Sequence, residues 1–151
     1  MKIKTKYFGE IEYDSDDVLV FPNGLYGFED EHEFLLIPFE GSEGSLLCLQ
    51  SRSTSALAFI LMDPFSLRQD YAPALQKAEL SALGVKDSGD LCYYVTCVVK
   101  QPVGNSTVNL KCPIAINPNT RTCVQVILDT AEYEMRHLLS ELKNGKGAVE
   151  C

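Results

Sequence analysis

Short runs of alternating apolar and polar residues, punctuated by Gly, Pro and Asn, set the character of this chain. Ile3-Lys4-Thr5-Lys6-Tyr7 alternates with period two, the mark of a half-buried strand. Gly9 breaks the run and Glu10-Ile11-Glu12-Tyr13 resumes it, which predicts a hairpin. Asp14, Asp16 and Asp17 form an acidic turn before a short apolar strand, Val18 to Phe21. Pro22-Asn23-Gly24 is a strong turn signal. Phe34 to Phe39 and Leu46 to Leu49 read as strands joined by the turn Gly41-Ser42-Glu43-Gly44. Leu57 to Met62 is a further apolar run, ended by a turn at Asp63-Pro64-Phe65.

The stretch from Asp70 to Gly84 holds the first predicted helix. Lys77 to Leu83 consists of good helix formers, Gly84 stands where a C-terminal cap belongs, and Pro73 restricts the helix to residues beyond it. Leu91 to Val99 is β-branched, aromatic and apolar on both faces, the signature of a central strand. Thr107 to Lys111 and Pro113 to Asn117 are strands around a proline that implies an edge or a bulge. Thr122 to Leu128 is the last strand. Asp129 with Glu132 has the form of a capping box, and Met135, Leu138, Leu139 and Leu142 then repeat as an apolar helical stripe. The expected fold is therefore mainly β: a small antiparallel, barrel-like domain with a short helix near 77–83 and a C-terminal amphipathic helix. The length of 151 residues suits one domain, expected over 1–143, with 144–151 as a flexible tail.

Charge narrows the possible partners. Acidic residues number 21 and basic ones 13, for a formal charge of −8. The only basic cluster, Lys2, Lys4 and Lys6, is small and is followed by Glu10 and Glu12. Such a surface repels phosphate backbones, so direct nucleic-acid binding is not expected and a basic protein partner suits it better. No apolar run is long enough to cross a membrane, and the N-terminus lacks the apolar stretch of a signal peptide. A cytoplasmic protein is expected. In that setting the six cysteines (Cys48, Cys92, Cys97, Cys112, Cys123 and Cys151) read as thiols, four of them inside predicted strands as small buried hydrophobes.

Catalytic chemistry finds little footing. His32 lies in an acidic run and His137 on the expected terminal helix, neither beside a Cys or Asp at metal spacing. No nucleophile elbow, P-loop, zinc-protease or dinucleotide motif occurs, and no cofactor or metal is expected. Two other classes compete with a protein-binding module. A small-molecule-binding barrel, for example a flavin protein, would carry a bound chromophore. An oligonucleotide-binding barrel would need a basic face, which this composition lacks.

Several segments, taken in order, resemble the flagellar assembly factor FliW family. The resemblance starts at Thr5-Lys6-Tyr7-Phe8-Gly9 and is sharpest in Phe21-Pro22-Asn23-Gly24-Leu25-Tyr26-Gly27-Phe28-Glu29, which is similar to the family's F-x-x-G-(I/L)-x-G-F-E signature. It continues through Leu49-Gln50-Ser51, Asp63-Pro64-Phe65 and the stretch from Asn109 to Asn117, and closes at Gln125-Val126-Ile127-Leu128. Cys112 stands where the family usually has a small Ala. The resemblance implies a β-barrel-like fold and a non-enzymatic, two-partner role. Such proteins bind flagellin in the cytoplasm and, alternatively, the RNA-binding translational regulator CsrA, whose repression of flagellin translation they relieve. A monomer is expected when free. Within the signature, the glycines serve backbone geometry and Phe21 and Phe28 read as core before contact. Leu25 and Tyr26 are expected at a loop apex as partner contacts, with Glu29 and Asp30 as acidic rim. Phe28 stays among the contact candidates, and Asp63 and Phe65 form a second candidate loop. Asn109 and Asn117, which bracket Pro113, are expected to satisfy backbone groups.

Overall fold

Alternating charge at the start of the chain produces a small hairpin of its own. In the computed structural model, which describes residues 1–42 and 45–144, β1 (Lys2–Lys4) and β2 (Glu10–Glu12) pair so that Lys2 faces Glu12 and Lys4 faces Glu10. Opposite charges across the strands stabilise the pairing. The partly buried Ile3 and Ile11 form the third pair. Beyond the hairpin, the backbone N–H of Lys6 donates to Gln50 Oε1 at 2.9 Å.

The remaining strands form one antiparallel sheet. They are β3 (Val18–Val20), β4 (Glu33–Pro38), β5 (Leu46–Ser51), β6 (Ala58–Met62), β7 (Cys92–Val98), β8 (Thr107–Val108), β9 (Ile114–Ile116), β10 (Cys123–Gln125) and β11 (His137–Leu138). Their order is β10-β9-β7-β6-β5-β4-β3, with β8 on β7 beyond the end of β9 and β11 on β8. The expected barrel is not closed. The two ends of the path meet at a single parallel bridge, Val20 with Thr122, where the Val20 N–H donates to Arg121 O at 2.9 Å. β3 is too short, at three residues, to zip this seam into a ladder.

Period-two alternation places two cores on opposite faces of the middle strands. Phe59 and Leu61 of β6 and Tyr94 of β7 face Phe21, Phe34, Leu49 and Ile114. Ile60 and Met62 of β6 and Val95 and Cys97 of β7 face Val108, Leu110, Val126 and Tyr133. Only one face of β7 is buried, that of Tyr93, Val95 and Cys97; the other is half-buried at Tyr94 and Thr96 and exposed at Cys92 and Val98, so the strand is less enclosed than its apolar sequence implies. A smaller cluster, Leu83, Leu91, Tyr93 and Ala115, lies beneath the helix at 77–83.

That helix, α2 (Lys77–Leu83), forms where the residues predict it, with Gly84 as a left-handed C-cap at φ 75°. Asn117 seals the same end: its Nδ2 donates to Leu83 O at 2.8 Å while its Oδ1 accepts from the Asn119 N–H. Asn109 similarly accepts from the backbone of Lys111 and Cys112. Asp63-Pro64-Phe65, expected as a turn, is more than that. Asp63 caps a one-turn helix, α1 (Pro64–Leu67), through the Phe65 N–H at 2.9 Å, with proline at its first position.

The terminal helix is shorter than its apolar stripe implies. α3 spans Leu139–Asn144, and the segment from Asp129 to Arg136 is not helical. Tertiary bonds claim it instead. Tyr133 is buried against Tyr71 with ring centroids 4.7 Å apart, Lys111 N–H donates to Glu134 O, and His137 and Leu138 pair as β11 with Val108 and Thr107. Met135 and Leu138 are therefore exposed while Leu139 is buried. Of the cysteines, Cys48, Cys97, Cys112 and Cys123 are buried thiols, but Cys92, expected inside, is exposed. Residues 145–151 of the expected tail, Cys151 among them, and two residues of the turn at 41–44 lie outside the described residues, whereas Asn144 is the last residue of α3.

Candidate functional site

The signature loop is built around two glycines and a buried leucine. The Gly24 N–H donates to Phe21 O, and Leu25 and Phe28 exchange backbone bonds across a tight turn. Gly24 has φ 69°, and a Cβ there would meet the carbonyl oxygens of Phe28 and Glu29 at 2.6 Å, so only glycine fits. The turn drives Leu25 into the core at 4% exposure and leaves Tyr26 at 55%. Leu25 is thus an anchor of the loop rather than part of its exposed apex. Phe28 lies on the surface at 40% exposure, its ring edge-on to Phe59 at 5.2 Å, whereas Phe21 is fully buried.

Beside this loop runs a groove of about 700 Å³. Leu25 and Tyr26 form one part of its wall. The rest comes from Lys6 and Tyr7, the start of β6 from Ala58 to Ile60, the end of β7 from Thr96 to Val98 with Val99 just beyond it, and Asn109, Cys112, Gln125, Ile127 and Met135. Tyr7, Tyr26, Val98, Val99, Ile127 and Met135 are all large apolar side chains left exposed here. Gln125 holds the wall together: its Oε1 accepts the Tyr26 N–H at 3.0 Å and its Nε2 donates to Cys112 O at 3.3 Å. Gln50 plays the same part for Lys6, its Nε2 donating to Ser51 O, Ser55 O and Leu57 O.

Electrostatics make the groove chemically quiet. Burial raises the Cys97 thiol, and burial outweighs the Asn109 hydrogen bond and the Lys111 charge to raise that of Cys112. Both stay protonated and are weak nucleophiles. Partial burial, with the nearby Cys112 and Glu79, also raises the Tyr26 phenol. Among the described residues no group of three or more His, Cys, Asp or Glu is placed to hold a metal ion.

The other residues singled out by sequence are dispersed. Glu29 borders a small pocket next to the groove with Asn23 and Gly24, and its carboxylate accepts the Gly27 N–H at 3.1 Å. Asp30 lies elsewhere, beside His32, Glu33 and Arg52. In the same acidic run, Glu31 accepts from the hydroxyls of Ser51, Ser53 and Thr54, which together hold its carboxyl below the usual range. Asp63 and Phe65 border a third pocket, with Phe65 packed on Tyr71 and Tyr93. Sequence reasoning did not single out Val98 or Val99; it placed Met135 on the apolar stripe of a terminal helix and Ile127 in the closing segment of the resemblance, neither as part of a groove. The one signal available was the adjacent pair Val98-Val99, which continues the apolar run to the very end of β7, where Val98 already faces solvent.

Fold and groove together define a class: a small, mostly β protein whose main surface feature is an apolar groove walled by its signature loop. Comparison with known proteins identifies the class. The family model for FliW protein matches residues 2–139, and the chain belongs to the FliW family. A flagellar assembly factor FliW from Ruminiclostridium cellulolyticum is 36% identical over 93% of this chain and 95% of its own length. One from Thermoanaerobacter pseudethanolicus is 39% identical, covering 95% of this chain and 97% of that protein. A crystal structure of the flagellar assembly factor FliW superposes with a TM-score of 0.85 at 37% identity, covering 92% of this chain and 96% of that one. No described helix is long and apolar enough to cross a membrane.

Proposed function

We propose that this chain is a non-enzymatic flagellar assembly factor that acts in the cytoplasm as a monomer, binding flagellin and, alternatively, CsrA. In this reading, export of flagellin frees the factor to capture CsrA and relieve its repression of flagellin translation. The observation that carries it is the groove, where exposed Tyr, Val, Ile and Met side chains line a cleft beside the family signature loop. A protein surface that gathers exposed apolar groups in this way marks a docking site. Tyr26 is its central contact and Leu25 its anchor. Phe28 and Glu29 flank it, and Asp30, Asp63 and Phe65 supply contacts outside it.

Net charge supports the CsrA arm. A regulator that binds RNA must present positive surface, and a partner of charge −8 docked beside that surface repels incoming RNA without filling the RNA site.

Calorimetry with purified CsrA and flagellin, each alone and then in competition, tests the reading. Binding to both is expected, with each weakening the other. Tyr26→Ser and Val98→Ser should each weaken at least one partner by about tenfold. Binding to neither partner would refute the reading, and a chromophore in the purified protein would favour a small-molecule role.

A further inference from the structure

β6 ends at Met62, while β7 extends back to Cys92, so the Cys92–Tyr94 stretch of β7 has no strand on its β6 side. The chain turns away at Asp63 into α1, and the space left is a notch of about 370 Å³. Phe65, Leu91, Tyr93 and Tyr94 supply its apolar walls and Asp63 its carboxylate. Phe65 is 40% exposed, with its ring held at 68° to Tyr71 and 72° to Tyr93.

Charge in the notch has one sign. No lysine or arginine lines it. Among the described residues no cation pairs with Asp63, whose Oδ1 accepts only the capping N–H of Phe65. A carboxylate with one such bond retains acceptor sites on both oxygens. Burial raises the Tyr93 phenol against the hydrogen bond at Ser88, with Asp87 adding to the rise, and burial is also the largest cause that raises the Tyr94 phenol, with Asp63 adding to it. Both phenols therefore stay neutral and add no charge to the notch.

An exposed aromatic ring beside a carboxylate with no paired cation matches one side chain better than others. A guanidinium is planar, weakly hydrated, stacks on rings and donates in a fork to carboxylate oxygens. We propose that the notch at the end of β6 receives an arginine side chain from a partner protein, stacked on Phe65 and hydrogen-bonded to Asp63. The inference deepens the proposed reading of Asp63 and Phe65 as partner contacts; because the notch shares no residue with the apolar groove, its test is separable from binding of flagellin or CsrA at the groove.

The test is an amide NMR titration of the full chain with the blocked tripeptide acetyl-Gly-Arg-Gly-amide, beside its citrulline and lysine counterparts. Citrulline keeps the shape of arginine and removes its charge. Saturable shifts at Phe65, Gly89 and Cys92 are expected with the arginine peptide alone. Asp63→Asn retains the helix cap and Phe65→Leu retains an apolar side chain. Each should weaken binding roughly fivefold while leaving the rest of the spectrum in place. Equal shifts with citrulline, unchanged binding in both variants, or shifts spread evenly over the acidic surface would each overturn the proposal. Equal binding of the lysine peptide would overturn its assignment to arginine.

Discussion

At the scale of single residues, the two glycines of the signature loop separate steric from conformational demands. Gly24→Ala places a methyl group 2.6 Å from two backbone oxygens at φ 69°. It should cost about 3 kcal/mol in urea unfolding, because strain and overpacking act together. Gly27 has φ 87° but open space where a Cβ would go, so Gly27→Ala should cost only about 1 kcal/mol. Gln50 makes a different demand. It is fully buried, with its amide bonded to Lys6 and to the 51–57 turn. Gln50→Leu takes the acceptor from the Lys6 N–H and a donor from the carbonyls of Ser51, Ser55 and Leu57, and should cost roughly 2 kcal/mol or more, with faster hydrogen exchange at the Lys6 amide as the local readout. The glycines and Phe21 were legible in sequence, since turn chemistry and a large apolar residue allow few alternatives. Leu25 and Phe28 were not, because a tight turn decides which of two apolar neighbours enters the core.

Local patterns set most elements, and tertiary contacts redirected one. The helix at 77–83 and every strand of the main sheet up to β10 follow from propensity, alternation and turn residues. α1 was readable in principle, since Asp63 and Pro64 form an N-cap and a first helical position. The segment from Asp129 to Leu138 was misleading: its apolar stripe is real, but strand pairing and the burial of Tyr133 outweigh a helix there. His137 makes this element sensitive to pH. Its Nε2 accepts the Glu134 N–H at 2.8 Å, which requires a neutral ring. Burial and Arg68 lower its pKa against the opposing charges of Glu134 and Glu141, with burial the largest effect. A depressed folded value means that stability is fully present above the unfolded pKa of about 6.5 and is lost as pH falls through the folded one. Thermal unfolding between pH 7.5 and 5 should show this loss in the native chain, and His137→Gln should flatten it.

For the whole molecule, charge and topology act together. With a net charge of −8, association with a basic partner should accelerate at low salt, and antagonism of RNA binding should weaken as salt rises. Stopped-flow association and RNA competition at two ionic strengths would check both, and antagonism unaffected by salt would remove repulsion as its cause. The groove itself could not be seen in sequence, because segments from Lys6 to Met135 meet only when the sheet curls. That curl ends at the seam between β3 and β10. The same seam is crossed twice, by the bond from Val20 to Arg121 and by that from Tyr26 to Gln125. A ring with one weak link concentrates its deformation there, as a split washer does. Anything that spreads or tightens the Tyr26 wall must flex this joint, so the width of the groove and the curvature of the sheet amount to one mechanical coordinate.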